Sequence, residues 1–325
     1  MNNSYVVTGG AGFIGSALVR HLLAEDAERV TVVDNFLTGN ERNLEEVRTQ
    51  VDLRNVDIRS YESVAKALEG SRIVFHLAAI PSVPRSIDDP VPSHDVNIDG
   101  TFHVFRAAKE AGARRVVYAA SSSAYGDTEV LPKVETMQPR PKSPYAAQKL
   151  LGEYYAGVFH SCFSLETVSL RFFNVYGPRQ DPSSPYSGVL SRFITALLAG
   201  EQPTIFGDGK QSRDFTYVED VTALLIKASR AAGVSGNVYN AGNGNRYTLN
   251  QVWDTLQRIE GVNIQPKYGP PRAGDVQDSQ ADTEAAVRDL NHSPKFTLEE
   301  GLRQTVAWYR KQIEESGGTV GASRK

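Results

Sequence analysis

The sequence predicts an α/β fold: a doubly wound parallel sheet, with a smaller mixed α/β part in its C-terminal half. Three observations carry that expectation. Short apolar runs of strand length alternate with stretches of helical apolar spacing up to residue 176, the pattern of parallel strands joined by crossover helices. A glycine-rich turn joins the first run to the first helix. Small or polar residues close the later runs, and ligands bind such sheets beyond the carboxyl ends of their strands.

The first run, Tyr5-Val6-Val7, leads into Thr8-Gly9-Gly10-Ala11-Gly12-Phe13-Ile14-Gly15, and helical spacing follows from Ser16 to Leu23. Glycines at a strand-to-helix turn permit a tight bend and close approach of backbone to a pyrophosphate. Unpaired N–H groups at the helix start favour an anion there. The second run, Val30 to Val33, ends at Asp34, 19 residues past Gly15. An acid in that place can hydrogen-bond ribose hydroxyls and repels a 2′-phosphate, so the pattern favours NAD over NADP. Asn35 and Phe36 follow, with no arginine at once.

A third strand is expected over 51–58, closing on Asp57-Ile58, and a fourth over 72–79, closing on Ala78-Ala79. His76 lies inside that apolar run and reads as a core histidine. A helix is expected over 99–111, stopped by Gly112, then a fifth strand over 115–120 running into Ser121-Ser122-Ser123. Serines at the ligand edge suit a sugar hydroxyl. Next comes Ser143-Pro144-Tyr145-Ala146-Ala147-Gln148-Lys149. Proline fits the first turn of a helix, so Tyr145 and Lys149, four apart, share one face. A phenol beside an ammonium makes a base near neutral pH, because the positive charge favours the phenolate. Without the surrounding motifs, the pair would read as an exposed helix face.

A sixth strand is expected over 167–173, then Asn174-Val175-Tyr176-Gly177-Pro178 and a Pro/Ser/Gly-rich stretch. Helices are expected over 189–199, 248–260 and 298–314, the last two opening on the capping pairs Thr248/Gln251 and Thr297/Glu300. Leu302, Val306, Trp308 and Tyr309 are the expected core face of the last. The segment from Ser316 reads as a flexible tail.

Composition narrows the function. The net charge is −3 over 325 residues, with no basic stripe to fit nucleic acid or an anionic membrane. Cys162 is the single cysteine and has no intrachain disulfide partner. Six scattered histidines show no metal-ligand spacing, so no metal is expected. The absence of a secretory segment or long apolar run predicts a cytoplasmic protein.

Taken together, Gly9-x-x-Gly12-x-x-Gly15, Asp34, Asp57-Ile58, the serine triplet before Tyr125-Gly126, and Tyr145-x-x-x-Lys149 resemble the extended short-chain dehydrogenase/reductase family. The likeness is strongest to its nucleotide-sugar 4-epimerases. The resemblance implies a Rossmann domain over 1–176 that binds NAD. It implies a UDP-sugar domain over 177–315, with segments around 214–240 returning to the first domain. By position, Tyr145 becomes the acid/base, Lys149 lowers its pKa and holds the nicotinamide ribose, and Ser121 or Ser122 contacts the reacting hydroxyl. Phe13, Ile14, Asn35, Leu77, Ala78, Ala79, Asn97 and Phe173 match further cofactor contacts. Asn174, Val189, Phe206, Arg213, Arg272 and Asp275 match contacts to the sugar, uracil, ribose or pyrophosphate. A homodimer built on the helix carrying Tyr145 and the one before it is also implied.

Three features bear on the substrate. No acid precedes Tyr125-Gly126, whereas related 4,6-dehydratases and UDP-glucuronate decarboxylases place one there. Arg179-Gln180-Asp181-Pro182 resembles the UDP-N-acetylhexosamine 4-epimerases, while UDP-glucuronate 4-epimerases carry threonine in place of Asn174. Ser279, five past Gly274, stands where members restricted to UDP-glucose and UDP-galactose have a bulky tyrosine. A small wall residue leaves room for an acetamido group. The expectation is therefore a 4-epimerase of UDP-GlcNAc and UDP-GalNAc, with UDP-Glc and UDP-Gal as possible further substrates. UDP-glucuronate is the runner-up, and a non-catalytic NAD(P)-sensing regulator is disfavoured by the Tyr/Lys pair.

Overall fold

The computed structural model describes residues 4–25, 27–181, 188–271 and 276–315. Seven strands form one parallel sheet: β1 (Ser4–Thr8), β2 (Arg29–Asp34), β3 (Asp52–Asn55), β4 (Ile73–His76), β5 (Arg115–Ser121), β6 (Glu166–Phe172) and β7 (Asn237–Ala241). Their spatial order is β7-β6-β5-β4-β1-β2-β3. β1 is central, with Val7 beside Val32 on one side and Phe75 on the other. This is the doubly wound α/β fold the sequence predicts.

Strand alternation divides the apolar residues between two layers. Tyr5, Val7, Val32, Phe75, Val117 and Val168 face one side, against α1 (Phe13–Ala24) and the helix Val218–Arg230. Val6, Val33, Val74, Val116 and Tyr118 face the other, against α2 (Tyr61–Leu68), α3 (Thr101–Glu110) and α4 (Pro144–Phe163). Helices on both faces explain why the runs read as continuously apolar rather than alternating. Each such side chain, fully buried, contributes about 1.5–3 kcal/mol.

The C-terminal half builds a third core. Phe193, Ile205, Val252, Trp253, Leu256, Leu302, Val306 and Tyr309 are buried together, with Trp308 only partly buried beside them. Its helices are α5 (Val189–Ala199), α7 (Leu249–Glu260) and α9 (Leu298–Glu315). The helix Val218–Arg230 is therefore α6 in this order, and Glu284–Leu290 is α8. Both expected capping pairs form: Thr248 with Gln251, and Thr297 with Glu300. β7 pairs with β6, so the chain beyond 214 supplies one edge of the main sheet.

Three expectations shift. The strand expected over 51–58 pairs only over 52–55, because the chain turns away before Asp57 to reach the ligand edge. The fourth strand ends at His76, leaving Ala78-Ala79 as loop at that same edge. The helix expected from 99 starts earlier, as a wide π turn over 95–100 that runs directly into α3. Such turns occur frequently at functional sites, and this one carries Asn97.

Candidate active site

The C-terminal ends of β1, β2, β4, β5 and β6 open into one cleft of ≈ 2050 Å³. Gly9, Gly12, Phe13, Ile14, Gly15, Asp34, Asn35, Asp57, Ile58, Leu77, Ala78, Ala79 and Phe173 all line it. At its floor, Gly9 adopts φ 71°. A Cβ there would lie 2.7 Å from the Ala78 nitrogen, and one at Gly15 would overlap the Gly9 carbonyl. Only glycine lets these backbones meet. No side chain caps α1, whose N-terminus is left for an anion.

Asp34 is buried. One carboxylate oxygen accepts the Ala11 N–H (2.9 Å) and the other the Phe36 N–H (2.8 Å). Burial raises its pKa, and these two bonds oppose the rise. Gly39 packs against the same carboxylate, which brings the loop after β2 over the site. Asn35 donates to Asp57 (3.0 Å). Arg59 holds the other face of Asp57, and their hydrogen bonds bring that carboxyl down to about 2.

The chemistry-bearing pair comes from α4. Ser143 caps its start, accepting the Ala146 N–H (3.2 Å), and Pro144 takes the first turn. Tyr145 and Lys149 both line the cleft. The hydroxyl of Ser121, at the end of β5, is the hydrogen-bond partner of the Tyr145 phenol. Ser121 also accepts from Ser123, through the amide (3.2 Å) and the hydroxyl (2.9 Å). Of the two serines the sequence left open, Ser121 is the one that reaches the phenol. Ser122 lines the cleft next to it.

The electrostatics differ from expectation in one respect. Burial raises Tyr145, opposed by Ser121, and Lys149 is not among the groups acting on it. Lys149 is itself buried, which brings it down to about 7, with Glu153 opposing. Its ammonium lies 4.8 Å over the Tyr118 ring. A lysine so desolvated is only partly charged near neutral pH, which weakens its pull on the phenol. Tyr118 also donates to the Lys149 carbonyl (3.3 Å), and a Cβ at Gly152 would overlap its hydroxyl. α4 is thus seated directly on β5.

His76 is a core residue, held between Thr8 (2.8 Å) and Thr101 (3.0 Å) and brought down to about 3 by burial. Asn97 does not line the cleft. Its amide accepts the Ile80 N–H (2.8 Å) and donates to the Ile80 carbonyl (3.2 Å) and to Gln148 on α4 (2.8 Å). It ties the loop after β4 to α4 from behind. On the same flank, Ser86 accepts the Tyr145 N–H (3.1 Å).

On the opposite bank, Asn174, Arg213 and Ser279 line the cleft. Asn174 donates to the Asp214 carbonyl (3.1 Å), and Arg213 to the carbonyls of Ser212 (2.9 Å) and Gln277 (3.2 Å). The Ser279 N–H is fixed on the Ser212 carbonyl (3.1 Å). Asp214 gathers the amides of Asn243, Gly244 and Ala281 beneath this wall, and burial brings it up to about 6. Val189 and Phe206 are not among the cleft-lining residues. Val189 opens α5, and Phe206 pairs in a short strand with Gly269. Arg272 and Asp275 lie outside the described residues, as does the tail from 316. Arg179 also lines the cleft, where it binds Glu46 (2.7 Å).

Sequence reasoning missed the loop after β2, where Asn40 and Asn43 line the cleft and hold the Ala11 carbonyl, and it missed Arg85. The loop follows Asp34 with Asn and Gly, a turn signal that could have placed it.

Residues 5–242 match the NAD dependent epimerase/dehydratase family. The chain belongs to that family. The UDP-glucose 4-epimerase of Mycolicibacterium smegmatis is 37% identical over 317 residues, which cover 95% of this chain and 99% of the relative. Among solved structures, the UDP-N-acetylglucosamine 4-epimerase of Methanobrevibacter ruminantium, in complex with UDP-N-acetylmuramic acid, superposes with a TM-score of 0.91 at 37% identity. The match covers 96% of this chain and all of that one. The UDP-glucose 4-epimerase of Thermotoga maritima, with UDP-glucose, gives 0.90 at 37% identity over 95% and 99% of the two chains. This epimerase-family chain is an enzyme whose cofactor is NAD, and the resemblance drawn from the motifs is borne out. The glycine cradle, the uncapped α1 and Asp34 fit that dinucleotide. No helix among the described residues is long and apolar enough to cross a membrane.

Proposed function

We propose that the protein is a UDP-sugar 4-epimerase that interconverts UDP-GlcNAc and UDP-GalNAc, with UDP-Glc and UDP-Gal as additional substrates. The observation that carries the reaction is the Tyr145 phenol, hydrogen-bonded to Ser121 and four residues from Lys149, in the cleft that begins at the glycine cradle. Bound NAD supplies reversible hydride exchange at C4. Tyr145 takes the proton from the sugar 4-hydroxyl and returns it after the 4-keto sugar has turned over. Ser121 orients that hydroxyl, and Lys149 provides a proton-bearing neighbour that titrates near neutrality. Asp34 takes the adenosine ribose, Asp57 and Ile58 the adenine, and Arg213 the diphosphate.

Ser279 supports the finer choice. It lines the cleft with its N–H on the Ser212 carbonyl, and a side chain this small supports room for an acetamido group there. A second copy of the chain fits the apolar stripe of Phe102, Leu151, Tyr154 and Val158 exposed on α3 and α4, and light scattering would read it as twice the monomer mass.

The test incubates purified protein with UDP-GlcNAc, UDP-Glc or UDP-GlcA, without added NAD, and separates the products. Formation of UDP-GalNAc is expected. Conversion of UDP-GlcA with none of UDP-GlcNAc would overturn the substrate, and a 4-keto-6-deoxy product would overturn the epimerase.

A further inference from the structure

One cation at the sugar end of the cleft is left without a role. Arg85 lies on the short helix Val83–Asp88. Its backbone N–H is held by the Ser82 hydroxyl (3.2 Å), and the next residue, Ser86, accepts the Tyr145 amide (3.1 Å). These two bonds fix Arg85 beside the first turn of the catalytic helix. Its side chain lines the cleft and is half-buried. Among the described residues it has no hydrogen-bond or ion-pair partner, Asp88 three positions on included. Arg179 and Arg213, by contrast, are engaged by Glu46 and by backbone carbonyls. Arg42 is also unpaired, but it follows Gly39 at the adenosine end.

A guanidinium stays charged at any relevant pH and presents a rigid fork of donors suited to an oxyanion. When a nucleotide sugar fills the cleft it strips water from Arg85. A neutral pyranose has no charge to offset that loss. The diphosphate is one candidate anion, but the diphosphate and the reacting C4 lie on opposite sides of the pyranose ring, and Arg85 adjoins Ser86, which holds the backbone amide of Tyr145, the proposed base at C4. We infer that the site also takes UDP-sugars that carry a carboxylate on the pyranose, holding them more tightly than their neutral counterparts, and that Arg85 is the residue that reads the acid. Combined with the open wall at Ser279, this names UDP-N-acetylhexosaminuronic acids as a further substrate class. The acetamido half of that statement rests on the reading proposed above; the carboxylate half rests on Arg85 alone.

Four UDP-sugars separate the two halves: UDP-Glc, UDP-GlcNAc, UDP-GlcA and UDP-N-acetylglucosaminuronic acid. Turnover by the holoenzyme and binding by calorimetry are measured for wild type, Arg85→Gln and Arg85→Lys. A charge-assisted hydrogen bond corresponds to roughly tenfold or more in affinity. Wild type is therefore expected to favour each acidic sugar over its neutral counterpart by about that factor. Arg85→Gln should lose at least roughly tenfold more on acidic than on neutral sugars, with Arg85→Lys between. Equal losses on both kinds, or no acid preference in wild type, would overturn the inference. So would weaker binding of UDP alone to Arg85→Gln, which would assign the guanidinium to the diphosphate. A missing acetamido preference would remove the hexosamine reading and leave the Arg85 result standing. Calorimetry gives the acid ranking even if no sugar turns over.

Discussion

On the cofactor side of the cleft, Asp34 already holds two backbone amides and Asp57 a guanidinium and an amide side chain. On the sugar side, the side chains of Arg85 and Ser279 hold nothing among the described residues. Both pairs of residues come from the same chain and line the same space, yet folding satisfies the two acids and leaves Arg85 and Ser279 to the ligand. Groups satisfied within the protein are fixed by folding, since an unpaired buried polar group costs about 1–3 kcal/mol. Groups left unsatisfied cost less only because water reaches them, and they are where one sugar can be told from another.

Three changes test that division, the largest first. Tyr145→Phe removes the proposed base and keeps the ring, so turnover should fall by roughly 10²- to 10⁴-fold. NAD released on denaturation should be unchanged, because the cofactor side is untouched. Loss of NAD along with activity would mean the two sides are not separable. Ser279→Tyr should lower kcat/KM for UDP-GlcNAc by roughly 100-fold relative to UDP-Glc; a parallel fall on both sugars would remove Ser279 as the discriminating wall.

The smallest effect at neutral pH concerns His76, on the completed side. Its folded pKa of about 3 lies below the ordinary 6.5, so the fold holds it neutral. The stability this contributes is complete above pH 6.5 and is lost as pH falls from 6.5 toward 3, because the unfolded chain takes up the proton first. Urea midpoints should decline through that window. His76→Gln should flatten the decline, and an identical slope in the variant would assign the acid sensitivity elsewhere.

The same division explains what could be read in advance. The glycine turn and the Tyr145/Lys149 pair are set by spacing within one turn or one helix, and Asp34 by the end of one strand; all of them line the cleft. The choice between Ser121 and Ser122 depended on which hydroxyl meets a phenol more than twenty residues away, and only the packing of α4 on β5 decides it. Asn97 stands behind the cleft lining, where the π turn over 95–100 sets it against Ile80 and Gln148. Arg179 looked like a sugar discriminator. It lines the cleft and is paired there with Glu46, more than a hundred residues distant in the chain, a partner that spacing alone could not name. Arg85 had no motif at all: a lone arginine in a sequence reads as solvated charge, and its meaning comes from what fails to surround it.

Gly152 sets how α4, which carries Tyr145 and Lys149, sits on the sheet. The missing side chain lets α4 rest on the Tyr118 hydroxyl, and Lys149 and Tyr145 lie one and two turns back along the same rod. That contact works as a mechanical datum, the zero from which the height of the phenol above the sheet is set. A methyl group there would touch neither cofactor nor sugar, yet it would lift the whole lever and carry the proton-transfer distance with it. The accuracy of the reaction is thus held in part by a position with no side chain.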